Sequence, residues 1–138
     1  MAENEFILWE NDNFIIKTLS NPHISLSEGV HLIVLPKKHT ANAWEDPELA
    51  SEAFLLSSQA TKIMSELEVC PWFNLQANGN WRLLPGSTPT FHIQIYGRNK
   101  TESWGKPINL PVAPGTFKNE PMPQELRKRL TIAFNSQL

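Results

Sequence analysis

The sequence has little of what marks several classes of protein. Its 138 residues include one cysteine, Cys70, so an intrachain disulfide framework and a cysteine-rich zinc site are both excluded. No apolar run approaches the roughly 18 residues that a bilayer-spanning helix needs. The first residues are acidic and polar, unlike the basic start of a signal peptide. These absences predict a cytoplasmic protein with no membrane partner.

A strong excess of charge of either sign is also missing. The chain has 12 basic and 14 acidic side chains, for a net charge of -2. Proteins that bind nucleic-acid polymers or membrane surfaces usually carry a basic excess, so neither is expected as a partner. Hydrophobic residues make up 41% of the chain and charged residues 19%, which is typical of a folded globular domain. We expect a single domain over 1–138, with a core at about 6–98 and a C-terminal extension at 99–138.

Apolar runs and turn signals predict an α+β fold. Strands are expected at 6–9 and 14–18 as a hairpin, and then at 31–35, 72–76 and 91–96. Asp46 and Pro47 suit the start of a long helix at about 47–67. A shorter, basic C-terminal helix is expected at 124–134. This order of elements indicates a largely antiparallel sheet of about five strands.

The strand at 91–96 has one apolar and one polar face, because alternate side chains of a strand lie on the same side. The polar face is formed by Thr90, His92, Gln94 and Tyr96. His31 begins the other strongly apolar strand, so the two histidines approach each other if those strands are neighbours. The solvent-facing side of an ordinary strand would give the same pattern, and His31 would then be a structural histidine.

The residues around these strands include candidate anion-binding groups. Gly86 and Ser87 precede His92, and a glycine-containing loop can offer backbone N–H groups and a serine hydroxyl to a phosphate; a plain connector is the alternative. Two short basic clusters follow the strands, and together they could attract an anionic substrate. The first cluster comprises Lys37, Lys38 and His39, and the second comprises Arg98 and Lys100. The spacing of the four histidines supports no metal site, and no cofactor is expected.

Two segments resemble the histidine-triad superfamily. The segment 31–39, His-Leu-Ile-Val-Leu-Pro-Lys-Lys-His, is similar to the family's early strand. The segment 90–96, Thr-Phe-His-Ile-Gln-Ile-Tyr, falls where the family has His-x-His-x-His followed by apolar residues. The resemblance covers about 6–98. The tail, with Tyr-Gly-Arg at 96–98 and Trp-Gly-Lys-Pro at 104–107, resembles a bacterial subgroup of diadenosine polyphosphate hydrolases.

The resemblance implies a nucleotide hydrolase or nucleotidyl transferase that acts on a phosphoanhydride, such as that of a dinucleoside polyphosphate. His92 then matches the nucleophile, which forms a nucleotidyl-histidine intermediate, and His31 matches the early active-site histidine. Ser87 matches the residue that contacts phosphate, with Gly86 beside it. Asn78 lies about one residue from the position of the family's asparagine. A small nucleotide is the implied substrate and a homodimer the implied assembly.

Two positions of the motif depart from the family pattern. Gln94 stands at the last triad position, as in the transferase branch of galactose-1-phosphate uridylyltransferase and the dinucleoside polyphosphate phosphorylases. Its amide can donate a hydrogen bond to phosphate but supplies no proton, which favours leaving groups that need no acid. Thr90 stands at the first position, where it affects the orientation of His92. A non-catalytic nucleotide-binding module is therefore the alternative function, and a structural domain without a ligand is a third.

Overall fold

A computed structural model describes residues 5–79, 86, 88–100 and 117–138. Within these ranges the chain forms five strands and two helices. The elements are β1 (Glu5–Glu10), β2 (Phe14–Leu19), β3 (Gly29–Pro36), α1 (Pro47–Glu66), β4 (Trp72–Asn78), β5 (His92–Arg98) and α2 (Gln124–Gln137). The predicted α+β class, with one long helix and a C-terminal helix, is confirmed. Neither helix is long and apolar enough to cross a membrane, as far as the described residues extend.

All neighbouring strands of the five-stranded sheet are antiparallel, in the order β1-β2-β3-β5-β4. Strands β3 and β5 are therefore adjacent, which is the condition for His31 and His92 to meet. Strand β5 begins one residue later than predicted. The backbone N–H of Phe91 donates to the Thr40 carbonyl at 2.7 Å, and that of Thr90 donates to the Gly79 carbonyl at 2.6 Å. These bonds tie the segment to loops before the ladder begins.

The hairpin of β1 and β2 forms where the sequence predicts it. The side-chain oxygen of Asn11 accepts hydrogen bonds from the backbone N–H groups of Asn13 and Phe14, at 2.8 and 2.7 Å. An asparagine that binds the backbone two residues later closes a turn in this way. The hairpin places β1 at one edge of the sheet and β2 beside β3.

Helix α1 begins at a side-chain cap and covers one face of the sheet. The Asp46 carboxylate accepts the backbone N–H of Leu49 at 3.1 Å, and Pro47 occupies the first helical position. The helix ends at Glu66, within one residue of the predicted end. Its small buried residues, Ala53 and Ala60, bring it close to β3 and β5.

Helix α2 extends three residues beyond its predicted end and packs on β1 and α1. Leu130 and Phe134 are fully buried in the same hydrophobic cluster as the sheet and α1. The guanidinium of Arg127 lies over the ring of Phe6, 3.9 Å from its centroid. The two helices leave the opposite face of the sheet for the polar residues.

Candidate functional site

The polar side chains of β3 and β5 gather on the sheet face opposite α1. His31 pairs with Tyr96 across the two strands, and residues directly opposite in an antiparallel pair point to the same side. Gln94 and His92 follow along β5 on that side. Only 5% of His92 and 3% of Gln94 is exposed, and Tyr96 is fully buried. The face is therefore not the solvent-facing side of an ordinary strand.

His31, Gln94 and His92 form a chain of hydrogen bonds, here called the relay. The backbone N–H of His23 donates to His31 Nδ1 at 3.2 Å, so this nitrogen is an acceptor. In a neutral imidazole the proton then lies on Nε2. His31 Nε2 contacts Gln94 Oε1, and as the protonated nitrogen it donates to that oxygen. The backbone therefore sets the tautomer of His31 and orients the amide of Gln94.

The second half of the relay ends at the lone pair of His92. With its oxygen bound to His31, the Gln94 amide directs its NH₂ group at His92 Nε2, 3.4 Å away. His92 Nδ1 lies 2.9 Å from the Thr90 carbonyl, which can only accept, so Nδ1 carries the proton. Thr90 thus orients His92 through its main chain, while its hydroxyl donates to the Thr88 carbonyl. His92 Nε2 is left as an unprotonated nitrogen.

Burial keeps the histidines of this face neutral. Burial, with the nearby His23, lowers the pKa of His31 to about 3. Burial also lowers the pKa of His92, although the hydrogen bond to the Thr90 carbonyl opposes this effect. The pKa of His23 is lowered first by burial and then by the charge of His92. A neutral imidazole has a lone pair available for attack or coordination.

His23 is part of this site although no sequence pattern singled it out. Its ring stacks on His31 with the centroids 4.2 Å apart, and His31 stacks on Tyr96 at 5.0 Å. His23 Nδ1 also lies 3.0 Å from the Tyr96 hydroxyl, close enough for a hydrogen bond. The rings of His23 and Tyr96 hold His31 between them, so its side chain is fixed by packing as well as by hydrogen bonds.

Residues near the C-terminus hold the turn that carries His23. The Asn21 side chain donates to the Phe117 carbonyl at 3.1 Å and accepts the Asn119 N–H at 2.8 Å. The Asn119 amide donates to the Pro22 carbonyl at 2.8 Å. The Phe117 ring meets His23 edge-on, with the centroids 5.9 Å apart. A segment almost a hundred residues away in sequence thus closes one side of the site.

The remaining predicted site residues are placed differently. Asn78 is paired with His92 across β4 and β5, and its buried Oδ1 has no hydrogen-bond partner among the described residues. Gly86 lies exposed in a turn, with a positive φ of 77°. Ser87 lies outside the described residues. Asn78 is therefore the predicted binding residue that the described part of the chain brings beside His92.

The lysines of the predicted basic clusters are in surface ion pairs, whereas His39 and Arg98 bond to other groups, and a different lysine lies on the site face. Lys37 pairs with Glu10 at 3.5 Å and Lys38 with Asp46 at 3.1 Å. Lys17 pairs with Ile33, which in turn pairs with Gln94, so Lys17 lies on the same face as the relay. Sequence reasoning missed it because a lysine inside a short hairpin strand gives no signal of its own.

A mainly apolar cleft of about 500 Å³ opens beside the start of β5. It is lined by Ala41, Asn42, Ala43, Trp44, Ala77, Asn78, Gly79, Pro89 and Phe91. Trp44 is 81% exposed at this cleft. Asn78 and Phe91 are, respectively, the cross-strand and the chain neighbour of His92, so the cleft borders the relay.

The lowered histidine pKa values predict a strong loss of stability in mild acid. A histidine whose pKa is lower in the folded than in the unfolded state stabilises the fold above the unfolded value of about 6.5, and that contribution is lost as pH falls. For His31 the loss runs from about pH 6.5 to the folded-state pKa of about 3. Urea denaturation should show the free energy of unfolding falling by up to about 1.4 kcal/mol per pH unit from His31 alone across this range.

The matching variant is His31→Gln, which removes the buried imidazole. We expect it to flatten the decline in unfolding free energy between pH 6.5 and pH 4.5, even if it destabilises the protein at pH 7. An equally steep decline in the variant, or a flat profile in the wild-type protein, would contradict the assignment of a neutral buried His31.

Several solved histidine triad proteins have a similar fold. A histidine triad protein from Bradyrhizobium japonicum matches with a TM-score of 0.67 and 14% identity, over 98% of this chain and 91% of that one. One from Marinobacter aquaeolei matches with a TM-score of 0.64 and 17% identity, over 98% and 89%. A hypothetical histidine triad nucleotide-binding protein from Sulfolobus tokodaii matches with a TM-score of 0.61 and 18% identity, over 96% and 83%.

At these identities the likeness shows a shared fold. No protein-family model matches the sequence, and a sequence search of curated proteins also finds no match. One fold serves many activities, so function has to be argued from the site.

Proposed function

We propose that the protein is a nucleotide hydrolase or nucleotidyl transferase that cleaves a phosphoanhydride through a covalent nucleotidyl-His92 intermediate. The observation that carries this proposal is the unprotonated Nε2 of His92, held by the Thr90 carbonyl on its other side. The resemblance of segments 31–39 and 90–96 to the histidine-triad superfamily supports it. The Sulfolobus neighbour, which is named as nucleotide-binding, supports the ligand class.

In the first step, His92 Nε2 attacks the α-phosphorus and the bond from phosphorus to the leaving oxygen breaks. The leaving phosphate takes the electron pair. The proton on Nδ1 stays in place, so the imidazole of the adduct is positively charged and is stabilised by the Thr90 carbonyl. In the second step, water or another acceptor attacks the phosphorus, the P–N bond breaks, and the electron pair returns to His92 Nε2. When the acceptor is water, its proton is released to solvent.

Gln94 is the proposed donor to the phosphate. Its NH₂ group is 3.4 Å from the nucleophilic nitrogen, which is a long hydrogen bond that an entering phosphate oxygen can replace. His31 holds the other end of the amide, so the donor is oriented before the substrate arrives. Because the amide cannot protonate a leaving group, phosphate leaving groups are favoured over amines.

The nucleoside has an apolar surface available beside the relay. In the row of the sheet that contains His92, the neighbouring positions on β3 and β2 are Leu35 and Ile15, which are half-buried. Ile7 on β1 is 38% exposed on the same face. We place the base and ribose on Leu35 and Ile15, with the phosphate at His92 and Asn78.

A homodimer is part of the same proposal. Strand β4 is an edge of the sheet, and an unpaired edge offers backbone groups to another chain. Trp72 on that strand is 48% exposed, and Leu55 on α1 is 61% exposed. An exposed tryptophan on the edge strand and an exposed leucine on α1, the helix that contacts this strand, suit an interface with a second copy.

The decisive experiment is to trap the intermediate. The protein is incubated with α-labelled dinucleoside triphosphate, nucleoside triphosphate or nucleotide sugar, and parallel samples are quenched in alkali and in acid. We expect a protein adduct that survives alkali and is released by acid, as a phosphorus–nitrogen bond to imidazole requires. A nucleoside phosphoramidate, whose leaving group is an amine, should give at least about 100-fold less adduct because Gln94 cannot protonate the amine.

The outcomes separate the candidate functions. Nucleotide binding by calorimetry without an adduct or turnover would establish the non-catalytic binding module instead. An adduct that is stable in acid and lost in alkali would indicate attack by a carboxylate and contradict the assignment to His92. Neither binding nor an adduct with any of the nucleotides would reject both functions.

A further inference from the structure

We propose that Lys17 binds the phosphate of the substrate. When a nucleotide enters, the Lys17 ammonium breaks its ion pair with Glu5 and donates to the phosphate oxygens instead. The inference rests on the proposed function and adds a determinant of specificity to it. With Lys17 in this role, the site discriminates a nucleotide from its nucleoside by a positive charge that lies outside the relay.

The position of Lys17 on the sheet brings it towards the relay. Lys17 on β2 is opposite Ile33 on β3, and Ile33 is opposite Gln94 on β5. Neighbouring strands are about 4.8 Å apart, so the Cα atoms of Lys17 and Gln94 are separated by about 10 Å. The long, flexible stem of a lysine can carry its ammonium across Ile33.

The ammonium of Lys17 has unused donors. Its side chain is 13% exposed and donates to Glu5 Oε1 at 2.7 Å. An ammonium has three donors, and Glu5 is its one hydrogen-bond partner within the described ranges. A cation that is largely removed from water is stabilised by additional acceptors. Lys17 is therefore ready to bind an anionic group that enters the site.

The site needs a positive charge that the relay does not provide. Its histidines are neutral, and phosphoryl transfer depends on stabilising the charge of the phosphate oxygens. Arg98, at the far end of β5, is 5% exposed and donates to Asn74. The charge of Lys17 reaches the nucleophile, because after burial it is the group that lowers the pKa of His92. Lys17 is thus electrostatically coupled to the atom that attacks phosphorus.

Glu5 holds Lys17 in place while the site is empty and competes with the phosphate for it. The Glu5 side chain is 26% exposed, so it can return to water when the lysine leaves. This competition predicts opposite effects for the two partners of one ion pair. Loss of Lys17 weakens nucleotide binding, and loss of the Glu5 charge strengthens it. An ion pair with only a structural role would weaken binding in both cases.

Calorimetry with the full chain tests this inference. We take whichever of AMP, GMP, CMP and UMP the wild-type protein binds most tightly, and the corresponding nucleoside. Lys17→Met should raise the Kd for the nucleotide by about 10-fold or more, as for a hydrogen bond between charged groups, and change the Kd for the nucleoside less than about 2-fold. Lys17→Arg should restore most of the affinity. Glu5→Gln should lower the nucleotide Kd by about 2- to 5-fold.

Lys62 and Glu52 supply the controls, because both are exposed on α1, which covers the face of the sheet opposite the relay. Lys62→Met and Glu52→Gln should leave both Kd values unchanged. Equal losses for nucleotide and nucleoside in Lys17→Met, or no loss for the nucleotide, would overturn the inference while the proposed function stands. A wild-type protein that binds no nucleotide would overturn both.

Discussion

An asparagine in place of His92 is expected to lower kcat by at least about 10⁴-fold and to abolish the covalent adduct. Asparagine keeps a polar side chain that can donate to the Thr90 carbonyl, but it has no lone pair that can attack phosphorus. Nucleotide affinity should change little, because the apolar surface and the phosphate donors are retained. The measurement is single-turnover cleavage of a labelled dinucleoside polyphosphate, with the adduct quantified in parallel.

The same substitution at another histidine gives the control. His39 is exposed and its Nε2 contacts the Pro89 carbonyl, outside the relay. His39→Asn should retain wild-type turnover within about 3-fold, as surface substitutions away from a site usually do. Turnover by His92→Asn within about 10-fold of wild type would show that a different group attacks, and an adduct in this variant would show it directly.

The relay explains why a glutamine can occupy a position where the related motif has a histidine. In a chain of two histidines, either ring can gain or lose a proton, and the tautomers change together. The amide of Gln94 has an acceptor oxygen and a donor nitrogen that cannot exchange roles. The His23 N–H places the proton of His31 on Nε2, this proton orients the Gln94 oxygen, and the NH₂ group therefore faces His92. The cost is the loss of an acid for the leaving group, which limits the proposed chemistry to phosphate leaving groups.

Local sequence signals were sufficient for the elements that frame the site. The Asn11 turn, the Asp46 cap and the alternation along β5 each depend on residues close together in the chain, and each element forms as expected. The pairing of β3 with β5 is not a local property. The sequence leaves open whether the strands of His31 and His92 are neighbours, and the structure pairs them.

The rest of the site depends on contacts between residues far apart in the sequence, which local sequence patterns do not predict. An asparagine followed by a proline, as at 21 and 22, is typical of a simple turn. The bonds that fold this turn over His31 come from Phe117 and Asn119. No periodic pattern in the sequence around 21–22 or around 117–119 indicates that these two segments are in contact. The burial of Gln94 has the same origin, since alternation shows which residues share a face but not what covers that face.

Replacement of Gly29 by alanine is expected to destabilise the protein by about 3 kcal/mol or more. Gly29 has a φ of 150°, which side-chain-bearing residues rarely adopt, and a Cβ there would lie 1.6 Å from the Gly97 carbonyl oxygen. The two strands at this point would have to separate, because both contacting groups are backbone. The measurement is the free energy of unfolding in urea, monitored by tryptophan fluorescence.

Gly86→Ala is the control that distinguishes the effect of the steric clash on stability from the effect of the positive φ. Gly86 also has a positive φ, 77°, but a Cβ there meets no described atom within 4 Å. Its substitution should cost only about 1–2 kcal/mol, the penalty of a left-handed conformation. Because Gly29 begins β3 only two residues before His31, the Gly29→Ala variant should also lose turnover while it is still mostly folded. Equal destabilisation by the two variants would mean that β3 and β5 do not approach as closely at Gly29 and Gly97 as the structure shows.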